Sequence, residues 1–270
     1  MVKNLNGAIL KLSQGFILSK VDKAIALSSY AKKLICDNFP LEAEKATVIY
    51  GGINDKIFYP LTADERAKKK EELGFSRSTN ILLLVSRLEP RKGLDNAIKA
   101  MPKILIKNPN ALLVIITPIG AFNYPEYLLY LYDLVSKLNL GGKVLFTANV
   151  KGKKLAEFYK IATCFIMASR ELETFGLTTI EALACGTPVL GTPTGATPEI
   201  LKRFDERLLF ESTKPSAITK KVNWLLDMKK EEYDVLRHKC ARYAKQYVWK
   251  KQLKSLEEVY KEVLNAQLEK

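Results

Sequence analysis

Glu173 and Glu181 bracket seven residues in the stretch ETFGLTTIE, and residues of these types at this spacing can handle a ligand. The preceding run, ATCFIMASR, is apolar enough for a buried strand. The following run, ALACGTPVLG, stops a helix at Gly186 and starts a second strand at Pro188. The predicted order is strand, loop, helix, turn, strand. Glu173 falls in the loop at the strand's carboxyl end, and Glu181 lies one to two turns into the helix. In open parallel sheets that end of the strands borders the ligand crevice. The backbone N–H groups of Gly176, Leu177 and Thr178 open the helix and are donors suited to a phosphate. Two acids beside an anion site would repel the anion unless they address neutral groups such as hydroxyls. The ligand that satisfies both demands has phosphates in its middle and hydroxyls at both ends. A blander reading makes Glu173 a loop acid and Glu181 a solvated helix residue. Phe175, Gly176 and the small-residue helix EALACG weigh against it, because they allow a backbone to come close to a ligand.

A second constellation lies upstream, in ILLLVSRLEPRKGLDNAIKAM. It reads as an apolar strand from Ile81 to Val85, a polar turn, and an amphipathic helix with Leu94, Ile98 and Met101 on its inner stripe. Arg87 and Lys92 sit in the turn and Gly93 at the mouth of the helix. Arg supplies a planar fork and Lys a point charge, so the pair reads as an anion clamp. Arg91 reads as an ordinary surface cation.

SRLEPRKG, followed some eighty residues later by ETFGLTTIEALACGTPV, resembles the retaining glycosyltransferases of family 4, which have the two-domain GT-B fold. DKAIALSSYAKKL and VIYGGINDKIFYP are similar to the segment that ends the family's first domain and leads into its second. PEYLLYLYDLVSKLNLGGKVLFTANV resembles the helix and strand before the base pocket, and YVWKKQLKSLEEVYKEVL the terminal helix, with Trp249 in the expected place. The resemblance runs from about Asp22 to the end, and the two motifs in this order are highly specific.

The resemblance implies an α/β fold: a Rossmann-like parallel sheet flanked by helices, plus a remnant of the first GT-B domain. Residues 1–60 would be that remnant and the interdomain segment, 61–245 the nucleotide-sugar domain, and 246–270 a terminal helix returning to the amino-terminal side. It implies transfer of a hexose from a nucleotide diphosphate sugar with retention at the anomeric carbon, without metal or cofactor. Arg87 and Lys92 would neutralise the departing diphosphate. Glu173 would hold the sugar's hydroxyls and stabilise the positive charge that develops on its ring, and Glu181 would bind the ribose. Backbone amides from Phe175, Gly176, Leu177 and Thr178 would bind sugar and phosphate oxygens. Val150 and Lys154 would line the base, and Gly120 is the candidate for the family's glycine-rich turn. Ala148 stands where the family has Gly, and Gly51 where it has Asn. With the acceptor half absent, the implied partners are a glycan or lipid-linked acceptor and a separate acceptor-domain chain or a second copy. The apolar face of residues 5–18, with Leu5, Ile9 and Leu12, and the helix with Trp249, Leu253, Leu256 and Tyr260 would meet that absent domain.

Composition narrows the remaining classes. Hydrophobic residues at 47% and charged residues at 27% are ordinary for a globular protein, and 270 residues can bury a sizeable core. No apolar run reaches the roughly 18 residues that cross a bilayer, and the amino terminus lacks a signal-peptide cleavage site. Cys36, Cys164, Cys185 and Cys240 have no paired or metal-like spacing, which predicts reduced thiols and a cytoplasmic address. The net charge of +14 favours an anionic partner. Its lysines lack the aromatic interleaving of a nucleic-acid platform, so nucleic acid is the least favoured partner. A solvated lysine-rich surface is the default reading, and under the resemblance a basic surface suits peripheral contact with an anionic membrane. Three functions stay open: a transferase that works with an acceptor-binding chain, a nucleotide-sugar-binding module without turnover, and a basic nucleic-acid binder.

Strands are predicted near 47–50, 81–85, 112–117, 143–147, 163–168, 188–191 and 207–210. Helices are expected over the SSYAKKLICDNF segment and near 63–73, 94–107, 125–139, 153–161, 177–185 and 197–203, with three more from Pro215. Strands alternating with helices imply right-handed crossovers and a parallel sheet.

Overall fold

The computed structural model describes residues 12–117, 124–171 and 173–269, so Gly120, Leu5 and Ile9 lie outside the described residues. The chain divides into two compact units, residues 53–246 and residues 1–52 with 247–270.

The larger unit is built on strands β3 (Asn80–Val85), β4 (Ala111–Thr117), β5 (Val144–Ala148), β6 (Cys164–Met167) and β7 (Val189–Gly191). They form one parallel sheet in the order β5-β4-β3-β6-β7. Ile81, Leu82 and Leu83 of β3 and Leu113, Val114 and Ile115 of β4 are fully buried, as strands covered on both faces by crossover helices must be. The register sets Leu83 opposite Val114 on one side and Phe165 on the other. After β3 the chain steps outward to β4 and β5, then returns to the far side of β3 as β6. That reversal opens a crevice at the carboxyl ends of β3 and β6, where loops leaving the sheet diverge.

Helices α2 (Ala63–Glu72), α3 (Leu94–Lys107), α4 (Pro125–Lys137), α5 (Gly152–Ile161), α6 (Leu177–Ala184), α7 (Thr197–Phe204), α8 (Pro215–Leu226) and α9 (Lys230–Ala244) belong to the same unit. A capping box starts α2, Thr62 receiving the Glu65 N–H while Glu65 receives the Thr62 N–H. Lys70, on its inner face, donates to the carbonyl of Thr79 at 2.7 Å, and burial pushes its ammonium down to about 8. Leu94, Ile98 and Met101 of α3 are fully buried. Tyr127 and Tyr130 on α4 stack with centroids 5.9 Å apart, and Tyr127 is buried with Leu131 and Leu134.

One predicted strand is corrected. Residues 207–210 form a 3-10 turn over Glu206–Leu208 and a single parallel bridge from Leu209 to Gly191. Leu208 and Phe210 are both buried, so the apolar alternation reports burial truthfully, but the 3-10 turn takes up Glu206–Leu208 and leaves Leu209 extended for a single bridge.

The smaller unit contains a two-stranded parallel sheet of β1 (Ala24–Ala26) and β2 (Ala46–Val48), with α1 (Ser29–Asn38) between them. β1 escapes sequence reading because three residues show no usable period. The Ser28 hydroxyl caps α1 by accepting from the Ala31 N–H at 2.9 Å. Helix α10 (Trp249–Leu268) completes this unit, tied to it by the Lys23–Glu262 ion pair at 2.7 Å. Gly52 makes room for Trp249, since a Cβ there would stand 2.4 Å from the indole. Leu12, Phe16, Ile17, Trp249, Leu253 and Tyr260 are all exposed. No described helix is long and apolar enough to cross a membrane.

Candidate active site

The turn after β3 is shaped by its own backbone. The Ser86 N–H continues the ladder to Ile116, Pro90 opens a 3-10 turn over Pro90–Lys92, and Gly93 ends it at φ +68° before α3 begins. Glu89, with a side chain only 10% exposed, accepts from Arg87 at 2.7 Å and from Arg91 at 2.6 Å. Arg91 is thus no free surface cation, and Glu89 is a site neighbour that sequence reading passed over.

Lys92 turns the other way. Its ammonium lies 2.7 Å from Glu173 Oε2, and the two side chains are 12% and 13% exposed. Ser169 donates to the same oxygen at 3.3 Å. An acid after β6 and a cation after β3, 81 residues apart, therefore meet across the crevice.

Two further devices hold the loops. The Arg170 N–H donates to the Arg91 carbonyl at 2.8 Å, and its guanidinium reaches Asp95 at 2.6 Å and Asn96 at 2.8 Å, both in the first turn of α3. Asp95 also accepts from Tyr127 and Lys99 at 3.0 Å each. Burial opposes its charge, but the bonds from Arg170 and Lys99 outweigh burial and hold its carboxyl below the usual range. From the other side, the Ala196 N–H donates to the Glu173 carbonyl at 2.7 Å, and Thr192 and Thr194 donate to the Ser169 carbonyl. A Cβ on Gly195 would stand 2.6 Å from the Glu173 nitrogen. Gly195 is the second residue missed in the sequence, since its reason lies in a loop from another strand.

Gly176 caps the start of α6 at a φ of +80°, in the left-handed region that favours glycine. The first N–H groups of a helix have no intrahelical partner and point back along the axis, here into the crevice. One turn on, Glu181 accepts from the Tyr159 hydroxyl at 3.0 Å. Burial pushes its carboxyl up to about 7, with the Tyr159 bond pulling the opposite way.

These parts surround a cavity of about 420 Å³. Of the residues singled out in the sequence, Arg87, Lys92, Val150, Glu173, Gly176, Leu177 and Thr178 line it. Glu181, half-buried, is not among the residues that line it. Phe175 is 3% exposed and packs in the core. Lys154 is exposed on α5 and does not line the cavity, whereas Lys151, Gly152 and Leu155 of the same turn do. Cys164, Cys185 and Cys240 are buried free thiols, and burial pushes that of Cys185 up to about 12.

A cationic clamp, an acid and a helix amino terminus at a switch point suit a phosphate-bearing ligand with hydroxyls nearby, and known proteins share the arrangement's frame. Residues 65–247 match the family described as Glycosyl transferases group 1. An uncharacterized glycosyltransferase of Methanocaldococcus jannaschii is 34% identical over 88% of this chain and 60% of its own length. D-inositol 3-phosphate glycosyltransferase of Acidothermus cellulolyticus is 27% identical over 80% of this chain and 48% of its own. The chain thus spans about half to three fifths of these relatives. Among solved structures, a glycosyltransferase from Rickettsia africae superposes with a TM-score of 0.81 over 94% of this chain and 66% of that one, at 23% identity. Anabaena HepE in complex with UDP and glucose gives a TM-score of 0.83 over 94% of this chain and 66% of its own, at 18% identity. At those identities the superpositions establish the GT-B-like fold. The family match covers more than half of the residues and contains every element of the cavity, and on that ground this chain belongs to the group 1 glycosyl transferases, family 4, of GT-B fold.

Proposed function

We propose that the cavity binds a nucleotide diphosphate sugar and that the chain is the donor-binding half of a retaining hexosyltransferase. The observation that supports this most is the Lys92–Glu173 pair beside the amino terminus of α6, in a cavity at the switch point of the sheet. Lys92 and Arg87 supply the positive charge that a leaving diphosphate needs, so the reading requires no divalent cation. An arriving diphosphate would draw the Lys92 ammonium away from Glu173 and leave that carboxylate to accept hydrogen bonds from the sugar. Glu181 would accept from the ribose, with Val150 and Lys151 toward the base. Relatives described as using a nucleotide donor, such as GDP-mannose-dependent mannosyltransferase of Corynebacterium glutamicum, 32% identical over 55% of this chain, point the same way.

The acceptor belongs to the proposal only as a class, a glycan or lipid-linked sugar. The wall opposite the donor cavity in such a site excludes water and positions the acceptor. The cavity residues serve a second reading equally, a nucleotide-sugar-binding module without turnover. A cytoplasmic protein touching an anionic membrane through its lysines fits either reading.

A thermal-shift series with UDP-, GDP- and ADP-sugars tests the binding claim, since a ligand of the folded state raises Tm by mass action. One base class should stabilise the protein; no shift with any of the three at saturating concentrations would remove the reading.

Substitutions separate the roles. Lys92→Ala should weaken nucleoside diphosphate binding about a hundredfold, ~3 kcal/mol, because it removes an ammonium and leaves Glu173 unpaired toward the phosphates. Arg87→Ala should cost about fivefold, because the guanidinium is half exposed and already engages Glu89. Neither should alter nucleoside binding, and equal losses for nucleoside and diphosphate in calorimetry would refute the clamp. Glu173→Gln should keep free diphosphate binding and abolish use of the sugar nucleotide. If it weakens both ligands alike, Glu173 does not address the sugar.

A further inference from the structure

Tyr159 lies outside the motifs that drew attention in the sequence, yet it makes the hydrogen bond to Glu181. It sits near the end of α5, is fully buried, does not line the cavity, and is held on two sides by rings. Phe58 stands edge-on at 6.1 Å and Phe165 of β6 is tilted at 5.6 Å. Its backbone is fixed too, because the Thr187 hydroxyl donates to the Tyr159 carbonyl at 2.5 Å. Ring and backbone contacts together fix the position of the hydroxyl oxygen, and Glu181 Oε2 lies 3.0 Å from it.

The buried cations on the elements packed against α6 are engaged elsewhere. The Lys160 ammonium lies 3.4 Å over the Tyr59 ring. The Arg237 guanidinium of α9 reaches the carbonyls of Ala162, Lys160 and Cys185 at 3.4–3.5 Å. Burial pushes the thiols of Cys185 and Cys164 upward, so both are neutral at ordinary pH. Among the described residues, Tyr159 is the side chain that bonds to Glu181.

We propose that Tyr159 is a positioning residue of the donor site, holding Glu181 in one rotamer and favouring the carboxylate that accepts hydrogen bonds from a ribose. The ribose part rests on the role given to Glu181 above. A carboxylate has about four acceptor positions, so one bond to Tyr159 leaves enough for two ribose hydroxyls. A protonated carboxyl carries a donor and has fewer acceptor positions. Burial favours that protonated form, and the Tyr159 hydroxyl opposes it.

The test begins without any ligand. In protein labelled with 13C at the glutamate carboxyls, the Glu181 resonance is the one missing from Glu181→Gln, and it should titrate near neutrality. Tyr159→Phe keeps the ring in its aromatic setting and removes the donor, so the Glu181 proton affinity should rise about tenfold, the scale of one hydrogen bond to a charged group. Affinity for the sugar nucleotide selected in the thermal-shift series should fall at a correspondingly higher pH in the variant. Pyrophosphate, which addresses the clamp alone, should bind both proteins equally. An unmoved Glu181 titration in folded Tyr159→Phe would overturn the proposal. A moved titration with an unchanged profile for the sugar nucleotide would overturn the ribose role of Glu181 and leave the Tyr159 bond standing. Should Tyr159→Phe not fold, 3-fluorotyrosine at position 159 is a stronger donor and should lower the proton affinity; no change there would overturn the proposal equally.

Discussion

Gly93→Ala should disrupt the donor site more than a methyl group at any other glycine of the described cavity and its loops. A Cβ at that position would stand 2.1 Å from the carbonyl oxygen of Ala168 and 3.0 Å from its carbon. Both are main-chain atoms at the end of β6, so no side chain can swing aside. The φ of +68° adds strain of its own, roughly 1–2 kcal/mol for a non-glycine residue. Relief requires the turn after β3 and the loop after β6 to separate, and they carry Lys92 and Glu173. We expect a loss of about 4 kcal/mol in urea unfolding, among the larger effects of a single substitution. The Lys92–Glu173 pair should open in whatever fraction still folds, with donor binding lost. Gly74→Ala is the matched control. Its φ is +82° and nothing lies within 4 Å of the added Cβ, so it carries the strain without the collision. Gly195→Ala should fall between them, because its Cβ would stand 2.4 Å from the Glu173 carbonyl oxygen, a smaller overlap than the 2.1 Å at Gly93. If Gly93→Ala costs no more than Gly74→Ala, close apposition of the two loops is not what holds the site.

Glu181→Gln should stabilise the protein at alkaline pH while damaging its binding. Burial raises the Glu181 carboxyl from 4.5 to about 7. A group whose folded value lies above its unfolded one contributes stability that is complete below the unfolded value and lost as pH rises through the folded one. The loss therefore runs between about 4.5 and about 7, and at ~1.4 kcal/mol per unit it amounts to about 3 kcal/mol by pH 8. Gln has no charge to bury, and its carbonyl can still accept from Tyr159. Its amide N–H groups are left short of partners, which returns roughly 1–2 kcal/mol. The expected net result is a variant about 1–2 kcal/mol more stable than the parent at pH 8, with the advantage vanishing toward pH 5. Affinity for ribonucleotides should fall at least tenfold at pH 8 and by less toward pH 5, where the parent's carboxyl is itself protonated. Chemical denaturation across pH, beside calorimetry, decides it. A parent whose stability does not decline from pH 5 to 8 relative to Glu181→Gln would show that the acid is ionised without cost. A site that sacrifices stability for binding is what a functional acid held out of water should display.

The apolar runs of β3 and β4, the periodic faces of α3 and α4, and the glycines that begin α3 and α6 are all legible in the chain, because each is a local consequence of side-chain period or backbone freedom. The two site motifs are legible for the same reason: each is contained in one strand, one turn and one helix. Residues 207–210 mark the limit of that reading, since an alternating apolar pattern records burial of Leu208 and Phe210 but not the hydrogen bonds that make a strand. Strand order is not written in any segment, and it is the reversal between β3 and β6 that brings Lys92 to Glu173. The same holds for Glu89 between two arginines, Arg170 on α3, Gly195 against Glu173, and Tyr159 beneath Glu181. A charge or a hydroxyl has no period and leaves no trace of its partner in its neighbours; what it meets depends on which loops the sheet topology sets side by side.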